Sequence, residues 1–366
     1  MKPAGIAWLA SLHDPEQALD WSLADWEYAL RLARRLRLLG RLAESVSAAG
    51  LLDRVPAAAR RHLVAECRQS RFRLRTLSWT VERVSSALAS AGYPRVLLKG
   101  AAYVAQGLPI APGRLPSDLD ILVPRDALND AHQRLQVHGW CPVELDAHDQ
   151  QYYREWSHEL PPLRHPQIGM ELDLHHGILP PVARTTVDSA ALLARLQPSG
   201  LPGWQVLAPV DQVLHSAAHL FLDSELRDRV RDLVDLDGLM RHFAARQVFW
   251  EDLVARAGEL GLVEPLALAV HFTTRWLDTP VPGDVRRQLQ ARGPGTVSQA
   301  LLLPLLETVL TPADPDALDT RRRDRAATVL LARHHLHRMP LHLLLPHLWH
   351  KARSRRHGQD DGDDGF

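Results

Sequence analysis

Residues 96–123, VLLKGAAYVAQGLPIAPGRLPSDLDILV, constrain the fold more than any other stretch. Val96, Leu97 and Leu98 form an apolar run too short for a helix and cut off by Lys99-Gly100, which predicts a buried strand. Gly100, Ala101 and Ala102 leave little bulk at the turn, so a ligand can approach the backbone there. The amides that open a helix after such a turn favour phosphate. A second strand is predicted from Ser117. Asp118 and Asp120 alternate on it with Leu119, Ile121 and Val123, so both carboxylates share one face while the apolar residues seat the strand in the core. Side by side the carboxylates repel, and a divalent cation relieves the conflict. Asp-x-Asp at a strand mouth therefore predicts magnesium, and magnesium brings phosphates. Taken alone the pattern is common by chance, as a polar strand end at a solvated edge.

Residues 170–176, MELDLHH, predict a third strand, with Glu171 and Asp173 on one face and Leu172 and Leu174 on the other. Two strands then present carboxylates at alternate positions. LLKGAA, GRLPSDLDILV and ELDLHH, in that order, resemble the nucleotidyltransferases of the polymerase-beta superfamily. The resemblance is strongest to the bacterial branch of uncharacterised nucleotidyltransferases and spans roughly residues 75 to 245. It implies an α+β fold: a small mixed-sheet nucleotidyltransferase core with helices packed mainly on one side. It further implies a metal-dependent enzyme that moves a nucleoside monophosphate from an NTP to an acceptor hydroxyl. Ala101 stands where many members carry Ser, and the spacer from Gly100 to Asp118 is long.

On that resemblance Asp118, Asp120 and Asp173 are the catalytic and metal-holding residues, gripping two Mg2+ (or Mn2+) ions roughly 4 Å apart. Glu171 shares the face with Asp173 and is the alternative third carboxylate. Lys99, Gly100, Ala101, Arg114, Ser117 and Arg231 are the expected nucleotide-binding set, with ATP the foremost NTP. His219, Arg231 and Asp235 match family positions. His175 follows Asp173 on the same face and is placed to orient it or the acceptor. Lys99 stands out in composition too: the other lysines are Lys2 and Lys351, near the termini, and every remaining strong base is Arg. A lysine at this point suits a compact charge on phosphate, with chance placement an equal alternative before the motif is considered.

The 43 basic and 43 acidic residues balance to zero net charge, which argues against an obligate nucleic-acid binder. A small molecule or a peptide or protein is thus favoured over RNA as acceptor. An RNA-modifying nucleotidyltransferase and a non-catalytic nucleotide-binding regulator are the alternatives, the second disfavoured by the intact acidic set. Cys67 and Cys141 form no pair motif and suggest a reducing compartment. No apolar run is long enough to span a bilayer, and the N-terminus does not read as a signal peptide, so a cytoplasmic location is expected.

The 366 residues suffice for two or three domains. The expected division is an N-terminal helical region (1–74), the nucleotidyltransferase core (75–185), a C-terminal helical domain (186–350) and a disordered charged tail (351–366). Apolar spacing predicts one helix over 23–39, started by Ser22 with Asp25, and a long one over 57–91 stopped by Gly92. Arg68, Arg71 and Arg75 share a face of the long helix, either as a basic wall or, more plainly, as a solvated surface. Asp126 is expected to cap a helix ending near His138. Strands are expected at 140–144 and 152–160. A helix from Pro209 carries His215 and His219 one turn apart, and the next carries Arg231 and Asp235 as a surface ion pair or cleft residues. Further helices follow from 248 to 345. The histidines His334, His335, His337, His342, His347 and His350 suggest a partner-facing, membrane-surface or metal-storing segment.

Overall fold

A computed structural model describes residues 4–143, 153, 156–222, 225–293, 296–314, 316 and 320–338. Its strands are β1 (Val96–Leu97), β2 (Asp118–Leu122), β3 (Cys141–Pro142), β4 (Leu163–His165), β5 (Ile168–His175), β6 (Gln197–Pro198) and β7 (Gln205–Val206). They form a seven-stranded sheet in the order β3-β4-β5-β2-β1-β7-β6. β2 runs parallel to β5, and β1 parallel to β7; the other neighbours are antiparallel. The fold is α+β, a mixed sheet with helical flanks.

The helices are α1 (Leu23–Arg35), α2 (Leu39–Ala48), α3 (Ala57–Ala87), α4 (Lys99–Ala105), α5 (Leu128–Val137), α6 (Ser189–Leu193), α7 (Pro209–Phe221) and α8 (Val230–Phe243). They continue as α9 (Phe249–Glu259), α10 (Val263–Leu277), α11 (Gly283–Arg292), α12 (Thr296–Leu310) and α13 (Arg321–Arg338). None of the described helices is long and apolar enough to cross a membrane. α3 and α5 pack against the sheet, and one buried apolar cluster runs from Ile6 to Leu330.

Local chemistry sets the element ends. Ser22 and Asp25 form the expected capping box at α1. The helix does not run to Leu39, however. Arg37 takes a left-handed φ of 57°, and α2 starts afresh at Leu39. The break lets Leu36, Leu38 and Leu39 all reach the core, where one straight helix would aim them around its circumference. Asp126 makes no side-chain cap; it lies inside a 3-10 turn, Arg125–Ala127, that leads into α5.

The strand expected at 152–160 is reduced, within the described residues, to a single bridge between Glu159 and His175. The antiparallel partner of β5 is instead β4, joined to it by a turn at Pro166 and Gln167. The arginines Arg68, Arg71 and Arg75 are exposed, as a solvated helix face requires. The tail 351–366 and three of the histidines, His342, His347 and His350, lie outside the described residues. Of the described histidines, His334 is buried, its Nδ1 2.9 Å from the Leu222 carbonyl, while His335 and His337 are half-buried. A partner-facing or metal-storing role finds no support in that part of the segment.

Candidate active site

The parallel pairing of β2 with β5 sets Asp118 opposite Glu171, Asp120 opposite Asp173 and Leu122 opposite His175. Alternation sends Leu119, Ile121, Leu172 and Leu174 to the other side, where all four are fully buried. Asp120 and Asp173 thus stand side by side on one face.

Two glycines deliver the basic residue that frames this face. Gly113 takes a φ of 74°, and a Cβ there would collide with the Gly40 backbone, so the loop before β2 sits hard against α2. The next residue, Arg114, is buried. Its Nε donates to Asp235 Oδ2 at 2.7 Å, and its guanidinium lies over the Tyr103 ring at 5.3 Å. A Cβ on Gly100 would run into that guanidinium. The glycine of the Lys-Gly turn therefore makes room for Arg114, rather than directly for a ligand. Ala101 is buried in the core beside it.

Lys99 is the first residue of α4 and has a left-handed φ of 43°, uncommon for a residue with a side chain. Its Nζ donates to Asp120 Oδ1 at 2.8 Å, and the Nε2 of His175 reaches the same oxygen at 3.1 Å. Burial pushes the Asp120 carboxyl up, but the Lys99 charge and the His175 hydrogen bond outweigh it and hold the group well below the usual carboxylate range. Burial likewise works against the Lys99 and His175 cations, and Asp120 reverses it in both, so both are raised. Asp173 has no such partners. Burial first, and the Asp120 charge second, push it up to about 7. Its Oδ1 is buried and without a hydrogen-bond partner among the described residues.

One cavity brings together Lys99, Arg114, Ser117, Asp118, Asp120 and Arg231, with Ser216 and His219 of α7 and Asp232 and Asp235 of α8 closing it. Of the two alternatives for Arg231 and Asp235, the surface ion pair does not form and both residues line the cavity. Asp235 turns inward to Arg114, and Arg231 is left 3.7 Å from Asp232 Oδ1, its guanidinium bordering the cavity. A side chain one turn away loses to one 121 residues away because the latter is already buried and needs a counter-charge. Glu171 shares the Asp173 face but is taken by Arg164, which donates to it at 2.6 Å in an exposed pair. His215 and His219 are tilted neighbours with ring centroids 6.5 Å apart, and burial holds both below the usual imidazole range.

Neither motif nor spacing singles out His158 and Glu159. Glu159 Oε2 lies 3.3 Å from His175 Nδ1 and 3.9 Å from His158 Nε2. The only available signal was a His-Glu pair in a segment of strand-like pattern shortly before an acidic strand. These two residues line a second cavity, which meets the first at Lys99 and His219 and is walled by Ile178, Leu179, Ala218 and Leu222.

Oxygen donors of three aspartates at one sheet end, one of them carrying an orphaned buried oxygen, suit a hard divalent cation. Flanking basic side chains suit phosphates. No curated protein and no solved structure matches the chain. The family described as uncharacterised nucleotidyltransferases matches residues 22–278, most of the chain and all of the site described above, and the protein belongs to that family and is a nucleotidyltransferase.

Proposed function

We propose that this enzyme transfers a nucleoside monophosphate from an NTP, foremost ATP, to the hydroxyl of a small molecule, using Asp118, Asp120 and Asp173 to hold Mg2+ or Mn2+. The observation that carries the reading is the pairing of Asp120 with Asp173 across parallel strands, next to a cavity bordered by Lys99, Arg114 and Arg231. When bound, the cation would neutralise triphosphate oxygens and lower the pKa of the acceptor hydroxyl.

The chain's own residues do the rest. Lys99 and Arg231 supply positive charge to the triphosphate, and Arg114, locked by Asp235 and seated against Gly100, holds its charge at a fixed place. Ser117 offers a hydroxyl at the mouth. His175 fixes the Asp120 carboxylate. The acceptor oxygen bonds to the α-phosphorus as the bond to pyrophosphate breaks, and Asp173 takes the acceptor's proton. The second cavity favours a small acceptor: its apolar wall suits a compact organic body, and it joins the first at Lys99 and His219.

The test is to supply ATP labelled at the α- or the γ-phosphate, with Mg2+ and a small-molecule extract. Label from the α position should enter a small-molecule product with release of pyrophosphate, and Asp118→Asn should abolish this. Transfer of the γ label, or α transfer undiminished in Asp118→Asn and Asp120→Asn, would overturn the reading. Label entering protein or RNA would keep the chemistry and correct the acceptor.

A further inference from the structure

His158, Glu159 and His175 bring one donor atom each to within 4.8 Å of one another. We propose that these three residues form a second cation site, separate from the aspartates, that takes a borderline divalent transition metal such as Zn2+.

The geometry is close to what such an ion needs. Bonds of about 2.1 Å in tetrahedral array set donors about 3.4 Å apart. Glu159 Oε2 is 3.3 Å from His175 Nδ1 and 3.9 Å from His158 Nε2, and the two imidazole centroids are 5.5 Å apart. The three donors lie within 4.8 Å of one another, so side-chain rotation of roughly an ångström brings the set to that spacing. The ring nitrogen that His175 turns toward Glu159, Nδ1, is buried with no hydrogen-bond partner among the described residues. A buried imidazole nitrogen left without a partner is costly and calls for an explanation.

The surroundings are those of a metal-binding histidine. Such a histidine gives its other ring N–H to a carboxylate, which fixes tautomer and orientation. His175 Nε2 lies 3.1 Å from the Asp120 carboxylate, the place of such a supporting bond, and Nδ1 faces Glu159 Oε2 at 3.3 Å. His175 is itself held by the β2–β5 pairing, opposite Leu122, and Glu159 by its bridge to His175. Two nitrogens and one carboxylate select zinc-like ions over magnesium, which prefers oxygen. His158 and Glu159 line the apolar cavity that also contains Ile178 and Leu179, so the ion's remaining position opens toward that space for a water or a donor atom of a bound molecule. The nearby positive charge of Lys99 is tied to Asp120.

The test uses the full chain, freed of metal with a chelator and dialysed against Zn2+ alone, with Co2+ as the spectroscopic probe. One Zn2+ per chain should bind and resist excess Mg2+, and Co2+ should show the strong visible bands of a four- or five-coordinate ion with nitrogen ligands. His158→Ala and Glu159→Gln should each weaken Zn2+ binding beyond the roughly 10–100-fold that loss of a supporting hydrogen bond costs, and Asp120→Asn by about that amount. Asp118→Asn should leave Zn2+ affinity unchanged while losing Mg2+-dependent ATP binding. Glu159→Gln, nearly isosteric, guards against a His158→Ala chain that fails to fold. The proposal is overturned if the wild-type chain holds no stoichiometric Zn2+, if Glu159→Gln and His158→Ala bind it as tightly as wild type, or if Asp118→Asn loses it.

Discussion

Asp120 and Asp237 are both buried carboxylates approached by basic side chains, yet their neighbourhoods are built differently. Asp237, on α8, takes a hydrogen bond from Arg241 Nε at 2.7 Å and from Thr279 Oγ1 at 2.6 Å on one oxygen, and pairs with His13 Nε2 at 2.7 Å on the other. Asp211 and Arg256 form a similar lock between α7 and α9, at 2.8 Å, and Arg256 also donates to the Ala191 carbonyl at 2.7 Å. These networks are closed, tying the N-terminal segment and the helical flank together. Around Asp120 the accounting does not close. Asp173 Oδ1, His175 Nδ1 and His158 Nδ1 are buried without partners among the described residues, as is Asp235 Oδ1 on the other side of the cavity. A fully satisfied buried network holds a fold; a partly satisfied one is costly unless something else binds there.

The sharpest way to break this contrast is to change Asp173. Asp173→Asn should lower transfer by about 10³-fold or more, at least about 4 kcal/mol of barrier, in single-turnover assays. The same change should not lower the melting temperature in metal-free buffer, because it removes one of two repelling carboxylates. A variant that is active, or that is unstable, would remove Asp173 from the open side of the comparison.

Asp211→Ala should do the reverse. It leaves the buried Arg256 without its main counter-charge and should cost about 3–5 kcal/mol in urea unfolding, since breaking a buried pair strands a charge. A loss of less than about 1 kcal/mol would show that Arg256 is served well enough by Glu259 and Ala191.

Gly100→Ala tests the junction between the two kinds of region. The added methyl meets the Arg114 guanidinium, and Arg114 is held by Asp235 and Tyr103, so overpacking of about 1–3 kcal/mol is expected, together with weaker ATP binding. Unchanged stability and ATP affinity would mean that Arg114 moves freely.

The smallest effect is expected at Glu171. It is part of an exposed pair with Arg164, so Glu171→Gln should change stability by less than about 1 kcal/mol and leave transfer nearly intact. Loss of transfer in this variant would place Glu171 beside Asp173 in the chemistry.

Much of this was readable along the chain. Alternation on β2 and β5 puts Asp118, Asp120 and Asp173 on carboxylate faces from residue spacing alone, because a strand's side-chain period is short and local. The capping box at Ser22 and the helix from Pro209 are likewise signals within one turn. The break at Arg37 was not readable, since Leu36, Leu38 and Leu39 fit one helix or two until the core they must fill is known. Nor was the strand β4 placed correctly: a Pro-rich stretch around 161–166 hides a short strand whose stability comes from its neighbours in the sheet.

What the sequence determined by itself, then, is which residue types alternate, where helices start, and the order of the acidic motifs. Only the tertiary structure decided who partners whom. It gave Asp235 to Arg114 rather than Arg231, made Gly100 the seat of a guanidinium, and brought His158 and Glu159 to His175. Periodicity is a property of consecutive residues, whereas a buried charge takes its partner from whatever the packed chain brings within about 3 Å, however distant in sequence.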